Sequence, residues 1–354
     1  MPMLVSVIIP VYNAECYVRK AVESAVDLPE VGEVVLVEDG SPDGTLTVCR
    51  ELEAEYDRVR LFRHPGGENR GAGASRNVGI RKARCELIAF LDADDYYLPH
   101  RFKNDIEILK EHPDLDGVYG ATGTRFYCEE AKEEYLSGPW KKLTTVSGPV
   151  PPEELWQVLM HRHPGYEGGF TTDAVTLRRR AFRKAGVFHE GLKLQQDTHL
   201  WKRLAIRCRL VAGVIDEPVA MRGIHDHNRL LDHDNRRSYT VPYWESLMQW
   251  GRQHQVDGPV MDVMRRKLLA ARMRGSSTME AFFRLGLFAL RYPGLATSEY
   301  GFFDVQVLDR FGSRPVAVRV LSAKNRLMNL LFCGHQQMEN GLSWSCQGGK
   351  KLND

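Results

Sequence analysis

Four short, almost uninterrupted apolar runs limit what this chain can become. Leu4–Ile9 stops at Pro10, Val34–Val37 stops at Glu38, Val59–Phe62 forms a third run, and Leu87–Leu91 stops at Asp92. A strand with one wet face alternates apolar and polar residues, whereas a run that is apolar throughout must be covered on both faces. Between the runs, Tyr17, Val18, Ala21, Val22 and Ala25 recur at helical spacing. Leu46, Val48, Cys49 and Leu52 do the same, and Ala74 to Ala83 reads as a helix. Strand–helix alternation of this kind builds β-α-β units and predicts a doubly wound, mainly parallel α/β sheet. Ligands of such sheets bind beyond the carboxyl ends of the strands. Asp39 follows the second run, and Asp92, Asp94 and Asp95 follow the fourth, so two strands deliver carboxylates to one sheet edge.

After about residue 115 the texture changes. Residues 116–150 are rich in glycine and read as irregular strands and loops. Helices are expected over 152–162 and 197–207, with a strand over Leu210–Ile215. From about 241 the pattern is mostly helical, and the last twenty residues read as a loose tail. The length of 354 residues suits about two domains. Hydrophobic residues at 43% and charged residues at 27% exclude a disordered chain, a collagen-like repeat and a small disulfide scaffold. A net charge of +2 gives no global case for nucleic acid. Seven cysteines are scattered, with no C-x-x-C pair, which predicts reduced thiols and a cytoplasmic setting. The N-terminus lacks a basic n-region, and no apolar stretch reaches the roughly 18 residues of a membrane span.

Three carboxylates in Asp92-Ala93-Asp94-Asp95 are costly together unless a cation offsets them. Hard ions such as Mg²⁺ or Mn²⁺ take oxygen ligands and commonly join one or two carboxylates to substrate phosphates. The plainer alternative is an Asp-rich turn or helix cap. Asp39-Gly40 is by itself a turn dipeptide, but a carboxylate at this edge can also accept a hydrogen bond from a nucleobase imide. The loop Glu68–Gly79 matches neither G-x-G-x-x-G nor a P-loop. It still leads glycines into a helix, where backbone N–H groups, Arg70 and Arg76 suit an anion; solvated arginines on a turn are the alternative.

Taken in order, Val5–Asn13, Glu38–Thr45, Asn69-Arg70-Gly71, Ala74–Gly79 and Phe90–Asp95 resemble glycosyltransferase family 2. The resemblance is dense over residues 4–110 and sparser over 170–230. It implies the GT-A fold, with a nucleotide-sugar-binding half over 1–115, an acceptor-binding half over 116–240 and a helical C-terminal extension over 241–354. It implies an inverting, metal-dependent transferase. A nucleotide sugar, with UDP-sugars favoured, would be the donor, and a carbohydrate or lipid-linked hydroxyl the acceptor, in surface polysaccharide or glycolipid synthesis. Asp39 would bind the base, Asp92 the ribose, and Asp94 the Mn²⁺ or Mg²⁺ on the diphosphate. Pro10, Tyr12 and Asn13 would shape the nucleotide pocket. The family usually has Asp where Glu38 stands and Glu where Gln196 stands. In the Gln195–Leu204 segment Asp197 matches the general base, although Asp197 before Thr198 also suits a helix N-cap. His225, after Arg222, would reach the diphosphate or the metal; a zinc site of His225, His227 and His233 is the rival reading.

Residues 260–330 hold twelve basic against five acidic residues, with Phe282, Phe283, Leu285, Leu287, Phe288 and Leu290 beside Arg284 and Arg291. Two expectations follow: peripheral contact with an anionic membrane, or a helical cap that packs on the chain or forms a homodimer. Three other activities compete. A glycoside hydrolase leaves Asp39 and the 69–79 loop unused, a nucleotidyltransferase needs a glycine- and lysine-containing loop after the first strand, and a non-catalytic sugar-nucleotide binder does not need Asp197.

Overall fold

The computed structural model describes residues 3–138, 142–225, 236–273 and 278–292. The elements run β1 (Val5–Val11), α1 (Val18–Val26), β2 (Val31–Glu38), α2 (Thr45–Glu55), β3 (Val59–Arg63), α3 (Ala72–Lys82), β4 (Leu87–Phe90), β5 (Tyr96–Tyr97), α4 (Lys103–Glu111), β6 (Gly117–Tyr119), β7 (Ala121–Phe126) and α5 (Glu129–Ser137). They continue with α6 (Leu155–Leu159), β8 (Val175–Arg178), α7 (Arg179–Ala185), α8 (Gln196–Arg207), β9 (Leu210–Ala212), β10 (Pro218–Ile224), α9 (Arg236–Gln253), α10 (Gly258–Met273) and α11 (Thr278–Arg291).

The main sheet has the order β3-β2-β1-β4-β8-β6-β9. β1 pairs in parallel with β2 and β4, and β2 with β3. The apolar runs are explained by two cores. Val5, Val7, Ile9 and Val11 enter one with Val18, Val22, Leu52 and Leu109. Ile8 enters the other with Val35, Ile80, Trp201 and Leu204. Alternate residues of one strand therefore meet helices on opposite faces. α3 lies close on β1: a Cβ added at Gly79 would stand 2.2 Å from Ile8 Cγ2.

Beyond β4 the sheet changes direction, since β8 is antiparallel to both β4 and β6. A second sheet, β5-β10-β7, stands beside it. The expected irregular stretch over 116–150 instead contains α5, which buries only Ala131 and Tyr135, one turn apart. Two apolar contacts leave too little periodicity to read. The helix expected over 152–162 shortens to Leu155–Leu159, and the strand over 210–215 to Leu210–Ala212. Trp201 is buried among Phe90, Phe170 and Phe188.

The chain divides into two compact units after Val263. The candidate site belongs to the first. No helix among the described residues is long and apolar enough to cross a membrane.

Candidate functional site at the carboxyl edge of the sheet

After β4 the chain bends at once. Leu91 N–H still donates to Ile8 O at 3.1 Å, and Asp95 N–H donates back to Asp92 O at 3.1 Å. The turn sends three carboxylates in three directions. Asp92, half-buried, accepts from the Arg76 guanidinium. Asp94 Oδ2 lies 3.2 Å from His225 Nε2. Asp95 points inward and accepts from Gly223 N–H at 2.8 Å. β10 packs hard on this turn, for a Cβ on Gly223 would stand 2.4 Å from Asp94 O.

A fourth carboxylate joins them. Asp173 Oδ1 accepts from Asp92 N–H at 3.0 Å, and its Oδ2 from the Thr171 hydroxyl at 3.2 Å. Ligand oxygens of Asp92, Asp95 and Asp173 lie within 4.8 Å of one another. Burial, followed by the neighbouring carboxylates, pushes the carboxyl groups of Asp95 and Asp173 above their usual range, against the positive charge of Arg222. Asp173 is absent from the sequence reading. It stands in Thr171-Thr172-Asp173-Ala174, far in sequence from Asp92, and nothing local marks it.

At the end of β2, Asp39 is buried. Its two oxygens accept from the N–H groups of Arg70 and Gly71, each at 2.8 Å. His64 Nε2 lies 3.3 Å from Asp39 Oδ1 and 2.9 Å from Ser75 Oγ. Asp39 thus holds the loop that opens α3, and a carboxylate oxygen that has accepted one N–H keeps a lone pair for another donor. Gly40 is required at the bend: its φ is +72°, and a Cβ would stand 2.6 Å from Gly67 O. Glu38 is fully buried. Burial alone would raise its carboxyl, but hydrogen bonds from Ser41 and the Arg63 guanidinium hold it below the usual range.

Pro10 is buried in β1 opposite Val37. Tyr12 is exposed, and Asn13 takes a left-handed φ of 51° while its N–H donates to Ser41 Oγ at 3.1 Å. Arg70 reaches out to Glu68 at 3.3 Å.

Arg76 links the acidic cluster to Asp197. It is buried on α3, its guanidinium carbon 5.3 Å from the centre of the Phe188 ring. Burial works against its charge, yet Asp92 first, then Asp197 and Asp173, hold its pKa above the ordinary value. Asp197 is not the N-cap. Gln195 occupies that position in a left-handed conformation with φ of 60°, which starts α8 early and places Asp197 inside the first turn. The Asp197 carboxylate accepts from the adjacent Thr198 N–H at 2.7 Å. Gln196 bonds to Leu192 O and lies against Gly73. Asn77 steadies the approach to this helix: its amide bonds to Phe188 N–H and C=O and to Glu190, each at 2.9 Å. His64, Asn77 and Asp173 are thus the site residues that sequence reasoning missed. Of the rival zinc set, His227 and His233 lie outside the described residues.

The family model described as "Glycosyl transferase family 2" matches residues 6–185, about half of the chain. This chain belongs to glycosyltransferase family 2. An uncharacterized glycosyltransferase of Haemophilus influenzae is 34% identical over 145 residues, covering 41% of this chain and 53% of that protein. The succinoglycan biosynthesis protein ExoU of Rhizobium meliloti is 40% identical over 100 residues, covering 28% and 29%. The chain thus spans about half or less of the length of these two relatives. Among solved structures, S. aureus TarS 1–349 in complex with UDP-GlcNAc aligns with a TM-score of 0.58 at 17% identity, covering 81% of this chain and 80% of that one. The likeness shows that the family-2 chain has the GT-A fold.

Proposed function

We propose that this chain transfers a sugar, with inversion, from a nucleotide-sugar donor to a hydroxyl of a carbohydrate or lipid-linked acceptor. The observation that carries this reading is Arg76. One buried guanidinium is hydrogen-bonded to Asp92 and is also raised by the charge of Asp197, 105 positions away, which supports reading a nucleotide-facing carboxylate and a candidate base as parts of one site. TarS binds UDP-GlcNAc, which makes a UDP-sugar the first donor to test. ExoU acts in succinoglycan synthesis, which supports a polysaccharide or glycolipid pathway.

The chemistry follows from the residues. A sugar hydroxyl is a poor nucleophile until its proton is removed in the transition state. Asp197 accepts that proton as the acceptor oxygen bonds to the donor's anomeric carbon from the face opposite the diphosphate. The bond from that carbon to the phosphate oxygen breaks, and the electron pair leaves with the nucleotide diphosphate. Arg76, hydrogen-bonded to Asp92, supplies positive charge beside the acidic turn. Asp39 anchors the 69–71 loop and keeps a lone pair to accept from the nucleobase.

The donor set fits a hard divalent cation, being carboxylate oxygens with one imidazole. Asp95 Oδ1 accepts from Gly223 N–H, and the two Asp173 oxygens accept from Asp92 N–H and the Thr171 hydroxyl. Asp94 and His225, brought to 3.2 Å, are the pair we assign to Mn²⁺ or Mg²⁺, with the Asp92, Asp95 and Asp173 oxygens beside them as the alternative ligands. When bound, such an ion stabilises the charge of the departing diphosphate.

A thermal-shift panel of nucleotides and sugar nucleotides, with and without Mn²⁺, tests the reading, followed by mass-spectrometric detection of glycosylated acceptor. Stabilisation by a UDP-sugar together with product supports it. Binding with no transfer to any carbohydrate or lipid-linked acceptor would favour a non-catalytic binder.

A further inference from the structure

The His225 imidazole is held from a direction that its own motif does not reveal. Tyr17 closes the loop after β1 and stands at the N-cap position of α1. Its ring stacks on that of His225, with centroids 4.9 Å apart and planes 15° apart. The same Tyr17 ring meets Tyr127 at 5.7 Å. One turn along α1, Lys20 Nζ lies 3.6 Å from the centroid of Tyr96 and 3.3 Å from the Tyr127 hydroxyl. The first turn of α1 thus engages all three strands of the small sheet: Tyr96 in β5, Tyr127 after β7 and His225 after β10. Hydrogen bonds tie those strand ends together, Tyr127 N–H to Ile224 O at 2.9 Å and Gly223 N–H to the Asp95 carboxylate Oδ1 at 2.8 Å.

The arrangement has a specific mechanical effect. The terminal torsion of a histidine is broad and only loosely two-fold, so a ring at a strand end can turn its nitrogens away. A flat aromatic surface against the imidazole confines it to the two orientations in one plane, and the Asp94 contact selects the one that presents Nε2. We propose that Tyr17 is the positioning residue for the Asp94–His225 pair. Its ring fixes the imidazole so that Nε2 and Asp94 Oδ2, 3.2 Å apart, are presented together to the divalent cation and the donor diphosphate. This rests on the metal reading given above. The flat ring is the working part, and the hydroxyl is not.

The test uses the full chain. Mn²⁺ is titrated against a fixed concentration of UDP, and the midpoint of thermal stabilisation is read for wild type, Tyr17→Phe, Tyr17→Leu and Tyr17→Gln, with Asp94→Asn as the reference for loss. Tyr17→Leu and Tyr17→Gln raise the half-saturating Mn²⁺ concentration by about tenfold or more, as loss of an outer contact to a metal ligand does. Tyr17→Phe stays within about twofold of wild type because the stack survives. Stabilisation by UDP without metal is unchanged in all three. A purely structural tyrosine would lower the melting temperature and leave the Mn²⁺ midpoint alone, and that result overturns the proposal. So does a Phe variant shifted as far as Leu. If wild type shows no Mn²⁺ response, the metal reading fails and takes the proposal with it. If the response is lost in Asp94→Asn but kept in both Tyr17→Leu and Tyr17→Gln, the metal reading stands and the proposal alone falls.

Discussion

Asp197 can be separated from its surroundings by a single change. It lies inside the first turn of α8 and accepts only the neighbouring Thr198 N–H among the hydrogen bonds described. Asp197→Asn keeps that acceptor and removes the proton-accepting charge. The melting temperature should move little, while the transfer rate should fall by roughly a hundredfold or more, the scale of a general base. Both are measured on one preparation, and turnover within a fewfold of wild type would place the base elsewhere. At this scale the sequence was legible where chemistry clusters along the chain. Asp92, Asp94 and Asp95 announce themselves as neighbours. Asp173 does not, because its partners Asp92 and Asp95 are about eighty positions away and meet it only through the β4–β8 pairing. Arg76 could be named as a cation, but not as the link between Asp92 and Asp197, for the same reason. The N-cap alternative for Asp197 fails because Gln195 takes that position, and its left-handed turn has no sequence mark comparable to a glycine.

Among the elements, the long parallel strands were legible because being covered on both faces forces most of their residues to be apolar. β5, β6 and β9 span only two or three residues and carry no usable period. α3 shows what legibility leaves out. Its glycine at 79 reads as a helix weakener, costing about 1 kcal/mol relative to alanine. In the fold it is the point where the helix touches β1, and a Cβ would stand 2.2 Å from the buried Ile8 Cγ2. Gly79→Ala should therefore destabilise despite its better helix propensity, with overpacking costing about 1–3 kcal/mol. A urea midpoint lower than wild type is the expected result. A higher midpoint would mean that α3 can lift from the sheet without cost.

For the whole molecule, stability carries a pH signature from His199. Burial, followed by the positive charge of Arg203, pushes this imidazole down to about 2. It is buried in α8, with Ser246 Oγ of α9 3.0 Å from its Nε2 and the Tyr243 ring against it. The unfolded chain takes up a proton at about pH 6.5, and the folded chain does not. The contribution is therefore fully present above pH 6.5. Below it, stability drops by about 1.4 kcal/mol per pH unit until the folded value is reached. Melting curves of wild type and His199→Gln at pH 7.5, 6.5 and 5.5 isolate the effect, since the carboxylates are common to both. The wild type should lose more stability than the variant between pH 6.5 and 5.5, and parallel losses would show that His199 is hydrated in the folded protein.

Four neighbouring residues of α3 hold four separate parts of the structure. Ser75 meets His64 beside Asp39, Arg76 meets Asp92, Asn77 clamps the 188–190 segment ahead of Asp197, and Gly79 fits against Ile8. Inserting one residue at the start of this helix would rotate everything after it by about 100° relative to the loop that anchors it. All four contacts would be lost together. Length variation is therefore barred from this stretch even though it borders a glycine loop, and insertions or deletions among descendants of this chain must fall in other loops.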